Sequence, residues 1–446
     1  MLKKFSLIFL LIISITFSWK KAQTQGISLI FDSEIEEIIV SLATPLLKYS
    51  GISTNSVKIY IVKNKNINAF VAGGQKIFIN TGLITEANSL DEISAVIAHE
   101  IGHISGGHLV RTREAIDNSS RIGLLAVLGG LAVASANVQN INSHRSDIIR
   151  GILSTSKSVA FENIIKYSKS QELAADARAL KLLQKQNISE MALINILETI
   201  LNKEQLLNNS NSEYFRTHPN TSERIFLLRN SNKDNLKKPN KTEISKTLKR
   251  IKAKIFAYTE PKKAINYYIK KEEVFSSKYA LCIAYNQVGK LEKSFHILNK
   301  LILEFPNDPF LFELLGKFKL ENGKPIQSMN AYIEALKIRP NDPLLLLGLA
   351  KSKLSTNDID YLRSSINDLN LVNQLKPELL IAWQYLAIAN GRINELGKSA
   401  LASAELSYRL GKYNEAKTHA IKAVKILPKN SPSFIRSQDI INLTKK

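Results

Sequence analysis

The chain has 446 residues, 44% of them hydrophobic and 22% charged, which is enough for two or three domains with buried cores and excludes a collagen-like, coiled-coil or wholly disordered chain. Sixty-one basic and 39 acidic residues give a net charge of +22, so a nucleic acid, an anionic membrane surface or an acidic protein could be a partner. Lysine outnumbers arginine 46 to 15, which disfavours nucleic acid, because bidentate recognition of phosphate and guanine uses arginine.

The N-terminal residues have the pattern of an export signal. Two lysines precede an uncharged apolar stretch over residues 5–18, which ends in small residues suited to cleavage. This stretch is short for a membrane span, which needs roughly 20 residues. We therefore expect a cleaved signal peptide over residues 1–18 and a periplasmic protein, with an uncleaved N-terminal anchor as the alternative.

Residues 27–230 mix strand and helix patterns and contain five of the seven histidines. Ser89 and Glu92 have the spacing of a capping box, which predicts the start of a helix. Gly-punctuated, β-branched runs upstream predict strands and a hairpin. The expected elements are a strand over 58–62, a hairpin within 68–84, a helix from 89 and a helix over about 168–184.

Between these helices lies an uncharged segment, Ile122–Val138. It is rich in Gly and Ala and at the short limit for a membrane span. We expect a helical lid that packs over a cleft or rests on a membrane surface.

Much of the excess positive charge lies in one stretch, because residues 232–271 contain 13 basic and 3 acidic residues. Its first part is polar and contains Pro239, as in a linker. We place a basic linker and first helix over 231–255, a repeat domain over 256–430 and a tail over 431–446.

The C-terminal part repeats with a period of 34 residues, as the pairs Gly289 and Gly323 and Pro306 and Pro340 show. This is the tetratricopeptide period, and it predicts an all-α solenoid of paired helices. The register slips by three residues before Pro377, so that repeat is degenerate. Small residues at close-approach positions are Cys282, Gly316, Ala335, Ala404 and Ala423, and we expect Cys282 to be a buried, unreactive thiol.

Residues 99–103 read His-Glu-Ile-Gly-His within the helix predicted from residue 89. Positions i and i+4 of a helix share a face, so His99 and His103 can both present imidazoles to one Zn²⁺ ion. Glu100 projects beside the ion, where it can take a proton from water. With only seven histidines in the chain, chance is a poor explanation for this spacing.

A catalytic zinc site needs a third protein ligand, and Glu172 is the strongest candidate. Glu172 and Asp176 also have i, i+4 spacing, so both carboxylates share a helix face. Asp176 could then orient a ligating imidazole from behind. His108 competes as the third ligand but fits poorly, because a position five residues after His103 is rotated away from the shared face.

These motifs resemble peptidase family M48, a class of zinc metallopeptidases. The resemblance rests on His99-Glu100-Ile-Gly-His103, on Glu172 with Asp176, and on the upstream Asn-Ala-Phe-Val-Ala-Gly-Gly at residues 68–74. It implies a mainly α chain, with an α+β zincin-like domain and a small edge-stranded sheet before the solenoid. It also implies that residues 68–79 form an edge strand beside the cleft, on which substrate adds as a strand through Asn68, Ala69, Phe70, Gly73 and Gly74.

The resemblance further implies that His218, in Thr-His-Pro with Arg224 following, fills the open zinc position and keeps the enzyme latent. One Zn²⁺ per chain is expected. With the export signal and repeats, the implied partners are unfolded or misassembled outer-membrane proteins, the outer-membrane barrel assembly machinery and a membrane surface, and not nucleic acid. The implied function is a zinc endopeptidase that degrades misfolded or stalled envelope proteins and assists the assembly of outer-membrane β-barrel proteins. The alternative is a repeat-based chaperone or assembly scaffold with a largely latent protease.

Overall fold

The computed structural model describes five ranges of the chain, residues 28–108, 167–206, 213–231, 245–271 and 274–444. The expected signal peptide, the Ile122–Val138 segment and residues 232–244 of the basic linker lie outside these ranges. Among the helices inside them, none combines the length and apolar character that crossing a membrane requires.

The N-terminal region contains a four-stranded sheet in the order β1-β2-β4-β3. Strand β2 runs parallel to β4, and the other neighbours are antiparallel. The β3–β4 hairpin turns at Gly73 and Gly74, whose φ angles of 59° and 93° suit glycine. The strands are β1 (Leu29–Ile30), β2 (Lys58–Val62), β3 (Ala69–Ala72) and β4 (Lys76–Asn80).

The strand over 58–62 and the hairpin are confirmed, but the hairpin is shorter than the pattern suggested. Residues 81–84, expected at the end of the hairpin, instead begin a helix. Residues 68–79 were expected to form an edge strand, but β4 lies between β2 and β3, so only β3 is at the edge of the sheet. A Cβ at Gly82, in the helix that begins at residue 81, would stand 2.3 Å from the Lys65 carbonyl oxygen and 2.4 Å from that of Asn66, so the close approach of the two segments requires glycine.

Within the described residues, seven helices lie between residues 33 and 231, and the third is buried over most of its length. Ser89 caps it as expected, accepting a hydrogen bond from the Glu92 amide at 3.1 Å. The Glu92 carboxylate bonds to the amide of Asn88 rather than that of Ser89, at 2.7 Å. The helices are α1 (Ser33–Ser50), α2 (Thr81–Glu86), α3 (Leu90–Ser105), α4 (Lys169–Lys185), α5 (Met191–Leu206), α6 (Glu213–Thr217) and α7 (Thr221–Ser231).

The rest of the described chain is helical, which confirms a mainly α protein with an all-α C-terminal region. Successive helices form antiparallel pairs joined by short turns. They are α8 (Lys246–Thr259), α9 (Pro261–Tyr268), α10 (Phe275–Gln287), α11 (Leu291–Glu304), α12 (Pro309–Glu321), α13 (Pro325–Ile338), α14 (Pro343–Leu354), α15 (Ile359–Leu375), α16 (Leu380–Arg392), α17 (Leu396–Arg409), α18 (Tyr413–Ile426) and α19 (Pro432–Leu443).

The turns within the helix pairs explain the 34-residue period. Gly289 and Gly323 lie in the turns between paired helices, and their φ angles of 78° and 70° are left-handed, as is common just after a helix ends. Asn357, the next residue at this spacing, takes the same left-handed conformation with φ of 63°. Helix α15 has 17 residues where α13 has 14, and this longer helix accounts for the three-residue slip.

The predicted small residues lie where helices approach closely. A Cβ on Gly316 would stand 2.8 Å from the Tyr332 ring. Buried serines of the second helices donate to carbonyls of the first, Ser294 to Cys282 at 2.7 Å and Ser328 to Gly316 at 2.6 Å. Only a small residue at the first position permits this backbone approach.

Cys282 is fully buried, as expected, and burial raises the pKa of its thiol. Because the thiolate is the reactive form, we predict no measurable reaction of the native protein with a thiol reagent such as DTNB over many minutes. One thiol per chain should react after unfolding in guanidinium chloride. Rapid labelling of the native protein would contradict the burial.

The acidic start of α1 joins the sheet-containing region to the repeats. The Lys254 ammonium lies 2.7 Å from the Asp32 carboxylate and 2.9 Å from that of Glu34. The Tyr279 hydroxyl donates to Glu34 at 2.8 Å, and Arg250 also pairs with this carboxylate. Glu34 is only 2% exposed, and α8 and α10 supply the partners that compensate its burial.

Candidate metal centre

Three helical segments bring the predicted ligands together in a buried cluster. His99 and His103 lie on one face of α3, with their Nε2 atoms 3.0 Å apart. Glu172 reaches this pair from α4, its oxygens 3.5 Å from His99 Nε2 and 3.3 Å from His103 Nε2. His218, just after α6, completes a group whose candidate ligand atoms lie within 4.8 Å of one another.

The spacing of these atoms fits a tetrahedral metal ion. Ligands about 2.0 to 2.2 Å from one tetrahedral ion lie about 3.3 to 3.6 Å apart, close to the separations among His99, His103 and Glu172. Two imidazoles and one carboxylate form the ligand set of a catalytic zinc site with one open position. The donor set and its geometry therefore fit Zn²⁺.

Glu100 is a buried carboxylate beside the cluster. It is 1% exposed, and within the described residues neither carboxylate oxygen makes a hydrogen bond. Glu100 Oε1 lies 3.6 Å from His218 Nε2. Burial raises the pKa of Glu100 above its usual range, which brings it closer to neutral pH, as suits a group that exchanges protons.

Behind the cluster, Asp176 and Arg224 hold two of the candidate ligands. Asp176 Oδ1 lies 2.8 Å from His99 Nδ1, the position expected for a carboxylate that orients a ligand. Arg224 donates to both Asp176 oxygens at 2.7 and 2.8 Å, and its Nη1 lies 2.7 Å from Glu172. The guanidinium is 1% exposed and compensates two buried carboxylates.

The pKa values reflect this pairing. Burial alone would raise the pKa of Asp176, but the attraction of Arg224 outweighs it and holds the pKa at about 2. Burial would also raise the pKa of Glu172, but His218 and Arg224 keep it well below its usual range. Burial lowers the pKa of His103, which favours the neutral imidazole that binds metals.

Three aromatic or imidazole side chains complete the site, and of these the sequence had pointed only to His108, as a competing third ligand. His108 Nδ1 lies 2.9 Å from His103 Nδ1, so His108 supports His103 from behind instead of joining the cluster. The Tyr167 ring stacks on His103 with centroids 3.6 Å apart, and Tyr214 stacks on His218 at 4.8 Å. No local sequence pattern marks these contacts.

Strand β3 borders the cluster, and its outer edge contacts two site residues. The amide of Asn80 on β4 donates to Asn68, so by alternation the Ala69 and Val71 carbonyls point away from β4. His218 Nε2 lies 3.1 Å from the Ala69 oxygen. The Tyr167 hydroxyl donates to the Val71 oxygen at 3.5 Å.

The remaining predicted edge residues lie along the same hairpin. Asn68 is buried immediately before β3, and Phe70 faces the opposite side of the sheet from Ala69, stacked on Phe78 with centroids 5.1 Å apart. Gly73 and Gly74 form the hairpin turn. Of the predicted edge residues, Ala69 is the one with a described contact to the cluster, through His218.

Gly102 sets the distance between the two helices that carry the ligands. A Cβ at this position would lie 2.7 Å from the Ala175 carbonyl oxygen and 3.0 Å from its Cα. Contacts this short force the backbones apart, so Gly102→Ala should move Glu172 away from the histidines. We predict a zinc affinity at least tenfold lower, measured by competition with a chromophoric chelator.

The matched control for this substitution is Gly391→Ala. Gly391 is also a helical glycine, but its added Cβ would meet only Ser399 Oγ, at an ordinary 3.4 Å. This variant should keep the zinc affinity of the unsubstituted protein. Equal affinities for all three proteins would show that the close helix approach does not position Glu172.

The sequence of this chain is similar to those of known peptidases. Residues 32–232 match peptidase family M48. The β-barrel assembly-enhancing protease of Yersinia pestis is 23% identical over 332 residues, which cover 73% of this chain and 66% of that protein. Its namesake in Escherichia coli K12 is 22% identical over 396 residues, 87% of this chain and 78% of that protein.

A shorter relative has a higher identity. The protease HtpX of Buchnera aphidicola is 31% identical over 216 residues, which cover 44% of this chain and 73% of that protein. The family match extends over both helices that carry the ligand cluster. The chain therefore belongs to peptidase family M48 and is a zinc metallopeptidase.

Proposed function

We propose that this chain is an exported, periplasmic endopeptidase that degrades misfolded or stalled envelope proteins and assists the assembly of outer-membrane β-barrel proteins. The observation that carries the catalytic part is the buried Glu100, whose carboxylate makes no hydrogen bond within the described residues and lies beside a cluster that fits Zn²⁺. The named role of the Yersinia and Escherichia relatives supports the substrate class. The N-terminal pattern over residues 1–18 supports export.

In this proposal, His99, His103 and Glu172 hold one Zn²⁺ per chain, and Asp176 keeps His99 in orientation. When bound, the ion supplies a Lewis acid that polarises a carbonyl and makes water nucleophilic at neutral pH. Glu100 takes the proton of the attacking water and then delivers it to the leaving amine.

Strand β3 supplies the substrate-binding edge. An extended substrate can pair with the outward-facing groups of Ala69 and Val71, which places its backbone beside the ligand cluster. Asn68, Phe70 and the Gly73-Gly74 turn shape this edge. Pairing through the backbone suits unfolded chains of many sequences, because it does not require particular side chains.

The test is cleavage of an outer-membrane β-barrel protein, supplied either unfolded by dilution from urea or folded in detergent. We expect the zinc-loaded chain to cut the unfolded form and to spare the folded one, and EDTA to abolish cutting. A reduced, carboxymethylated soluble protein serves as a second unfolded substrate. If only this soluble protein is cut, the enzyme is a protease but the proposed substrate class is wrong.

A second function is favoured by the position of His218. This side chain contacts Glu172 at 3.1 Å and the Ala69 carbonyl at 3.1 Å, so it fills the space between the cluster and the substrate edge. We propose that the protease is latent in this state and that the repeats then act as a chaperone or assembly scaffold. His218→Ala should raise the cleavage rate if His218 keeps the enzyme latent, and a lower rate would contradict latency.

A further inference from the structure

Both outward-facing carbonyls of β3 are already occupied by side chains of the same chain. His218 Nε2 lies 3.1 Å from the Ala69 oxygen. The Tyr167 hydroxyl lies 3.5 Å from the Val71 oxygen. All four of these residues are buried. A substrate strand needs both carbonyls as acceptors, so it has to replace two side chains before it can pair with β3.

Tyr167 links this edge to the metal centre. Its ring stacks on His103 with centroids 3.6 Å apart, and it belongs to the buried apolar cluster that contains Phe70 and Ala72 of β3. The hydroxyl is fixed in the plane of the ring, so it cannot leave Val71 unless the ring also moves on His103. Pairing of a strand with β3 and access to one side of a candidate zinc ligand therefore depend on the same side chain.

The two side chains that occupy the edge are tied together by the backbone. The amide of Tyr167 donates to the carbonyl of Thr217, the residue before His218, at 3.2 Å. The rings of Tyr167 and His218 also approach each other, with centroids 5.4 Å apart. We call Tyr167 and His218 the edge latch, because segments joined in this way should open together.

We infer that Tyr167 is a specificity-determining residue of the substrate edge, which holds the Val71 carbonyl at rest and yields it to a backbone N–H of the substrate. The inference rests on the proposed function, which takes β3 as the edge on which substrate adds. Tyr167 acts on where the substrate binds and takes no part in the chemical step.

The geometry of the edge defines which segments can replace the latch. Ala69 and Val71 are two residues apart, so a partner has to present two N–H groups along one edge of an extended backbone. Proline has no N–H and should be excluded at both of these positions. The substrate class is therefore an extended polypeptide segment with free amides at two alternate residues.

Fluorescence anisotropy tests the inference on the full chain carrying Glu100→Gln, with a labelled octapeptide of alternating Val and Ser that is blocked at both ends. Tyr167→Phe keeps the ring but leaves the buried Val71 oxygen without its partner in the closed latch, which favours the peptide-bound state. The dissociation constant should fall by about threefold or more, with zinc affinity unchanged. Unchanged or weaker peptide binding would overturn the inference. A lower zinc affinity would mean that the hydroxyl serves the metal centre, and the assignment to the edge would be wrong.

Tyr60→Phe is the matched control. Tyr60 stacks on Phe78 in the same apolar cluster, with centroids 5.3 Å apart, but it lies on β2, which β4 separates from β3. Loss of its hydroxyl should change peptide affinity less than twofold. An equal gain in the Tyr60 and Tyr167 variants would show a general loosening of the cluster and would overturn the role of Tyr167.

A larger change at the same position tests whether the ring blocks the edge. Tyr167→Leu removes the ring as well as the hydroxyl, so it should bind the peptide at least as tightly as Tyr167→Phe, although the stacking on His103 is lost. Circular dichroism confirms that this variant folds. Peptide binding weaker than that of the unsubstituted residue would show that the ring helps to hold substrate, which contradicts a latch.

Backbone methylation separates failure of the latch from failure of the proposed function. One version of the octapeptide is N-methylated at alternate amides, which leaves one edge free to donate, and another is N-methylated at every internal amide. The first should bind and the second should not. Equal binding of both versions and the parent peptide would mean that no strand pairs with β3, and the proposed edge and the latch would both be wrong. If methylation abolishes binding but Tyr167→Phe brings no gain, β3 remains the edge and the latch alone is wrong.

Discussion

Glu100→Gln should abolish peptide cleavage and leave zinc in place. Among the described residues of the cluster region, Glu100 is the one buried carboxylate whose oxygens make no hydrogen bond, so it is free to accept a proton from water. The substitution removes this proton acceptor. General-base catalysis is typically worth about 10²- to 10⁴-fold in rate, so we expect kcat to fall by that factor. Zinc content, measured by mass spectrometry of the dialysed protein, should equal that of the unsubstituted chain, because Glu100 is not one of the candidate ligands.

Glu92→Gln is the matched control for this variant. Glu92 lies on the same helix and is also buried, but it accepts a bond from a backbone amide, which a glutamine oxygen can also do. Its variant should cleave at close to the unsubstituted rate. If Glu100→Gln also cleaved at that rate, Glu100 could not be the group that accepts the proton.

Arg224→Leu should be the most destabilising substitution in the metallopeptidase region. Removal of the guanidinium leaves the carboxylates of Glu172 and Asp176 buried without their cation. Breaking a buried ion pair from one side costs about 3 to 5 kcal/mol, a large part of the stability of a typical domain. Urea unfolding followed by circular dichroism, with and without EDTA, measures the loss.

Arg229→Leu on the same helix provides the comparison. Arg229 pairs with Glu198 at the surface, where both side chains are substantially exposed. Exposed pairs contribute about 0 to 1 kcal/mol, so this variant should unfold near the unsubstituted midpoint. If the two arginine variants were equally stable, the network behind the ligands would be dispensable for folding.

The parts of the site that could be predicted are those encoded by local spacing. His99 and His103 share a face because four residues make about one helical turn, and Glu172 with Asp176 follows the same rule. Arg224 followed His218 in the sequence, but its contacts with both carboxylates depend on how α7 packs against α4. Stacking of Tyr167 on His103 likewise brings together residues far apart in the chain, and no periodic pattern reports such a contact.

The fold follows the same division. The 34-residue period predicted the helix pairs, and the capping residues predicted where α3 begins. One strand of the hairpin lies at the edge of the sheet and the other in its interior because β4 pairs with β2. This pairing is a long-range contact that the local sequence pattern does not report. The docking of Glu34 on Lys254 joins positions 220 residues apart, so only the folded chain reveals it.

Because of this docking, the domain boundary predicted at residues 230 and 231 does not separate two independently stable units. Helix α1 belongs to the metallopeptidase region and packs against α3, yet its acidic start is neutralised by α8 and α10. A fragment that ended before α8 would leave Glu34 and Asp32 without their cations. Helix α1, which packs against the α3 helix of His99 and His103, would then lose the contacts that fix its N-terminal end. Metallopeptidase and repeats are therefore not interchangeable modules, and a graft that exchanged the repeats would have to carry Lys254 and Tyr279 with it.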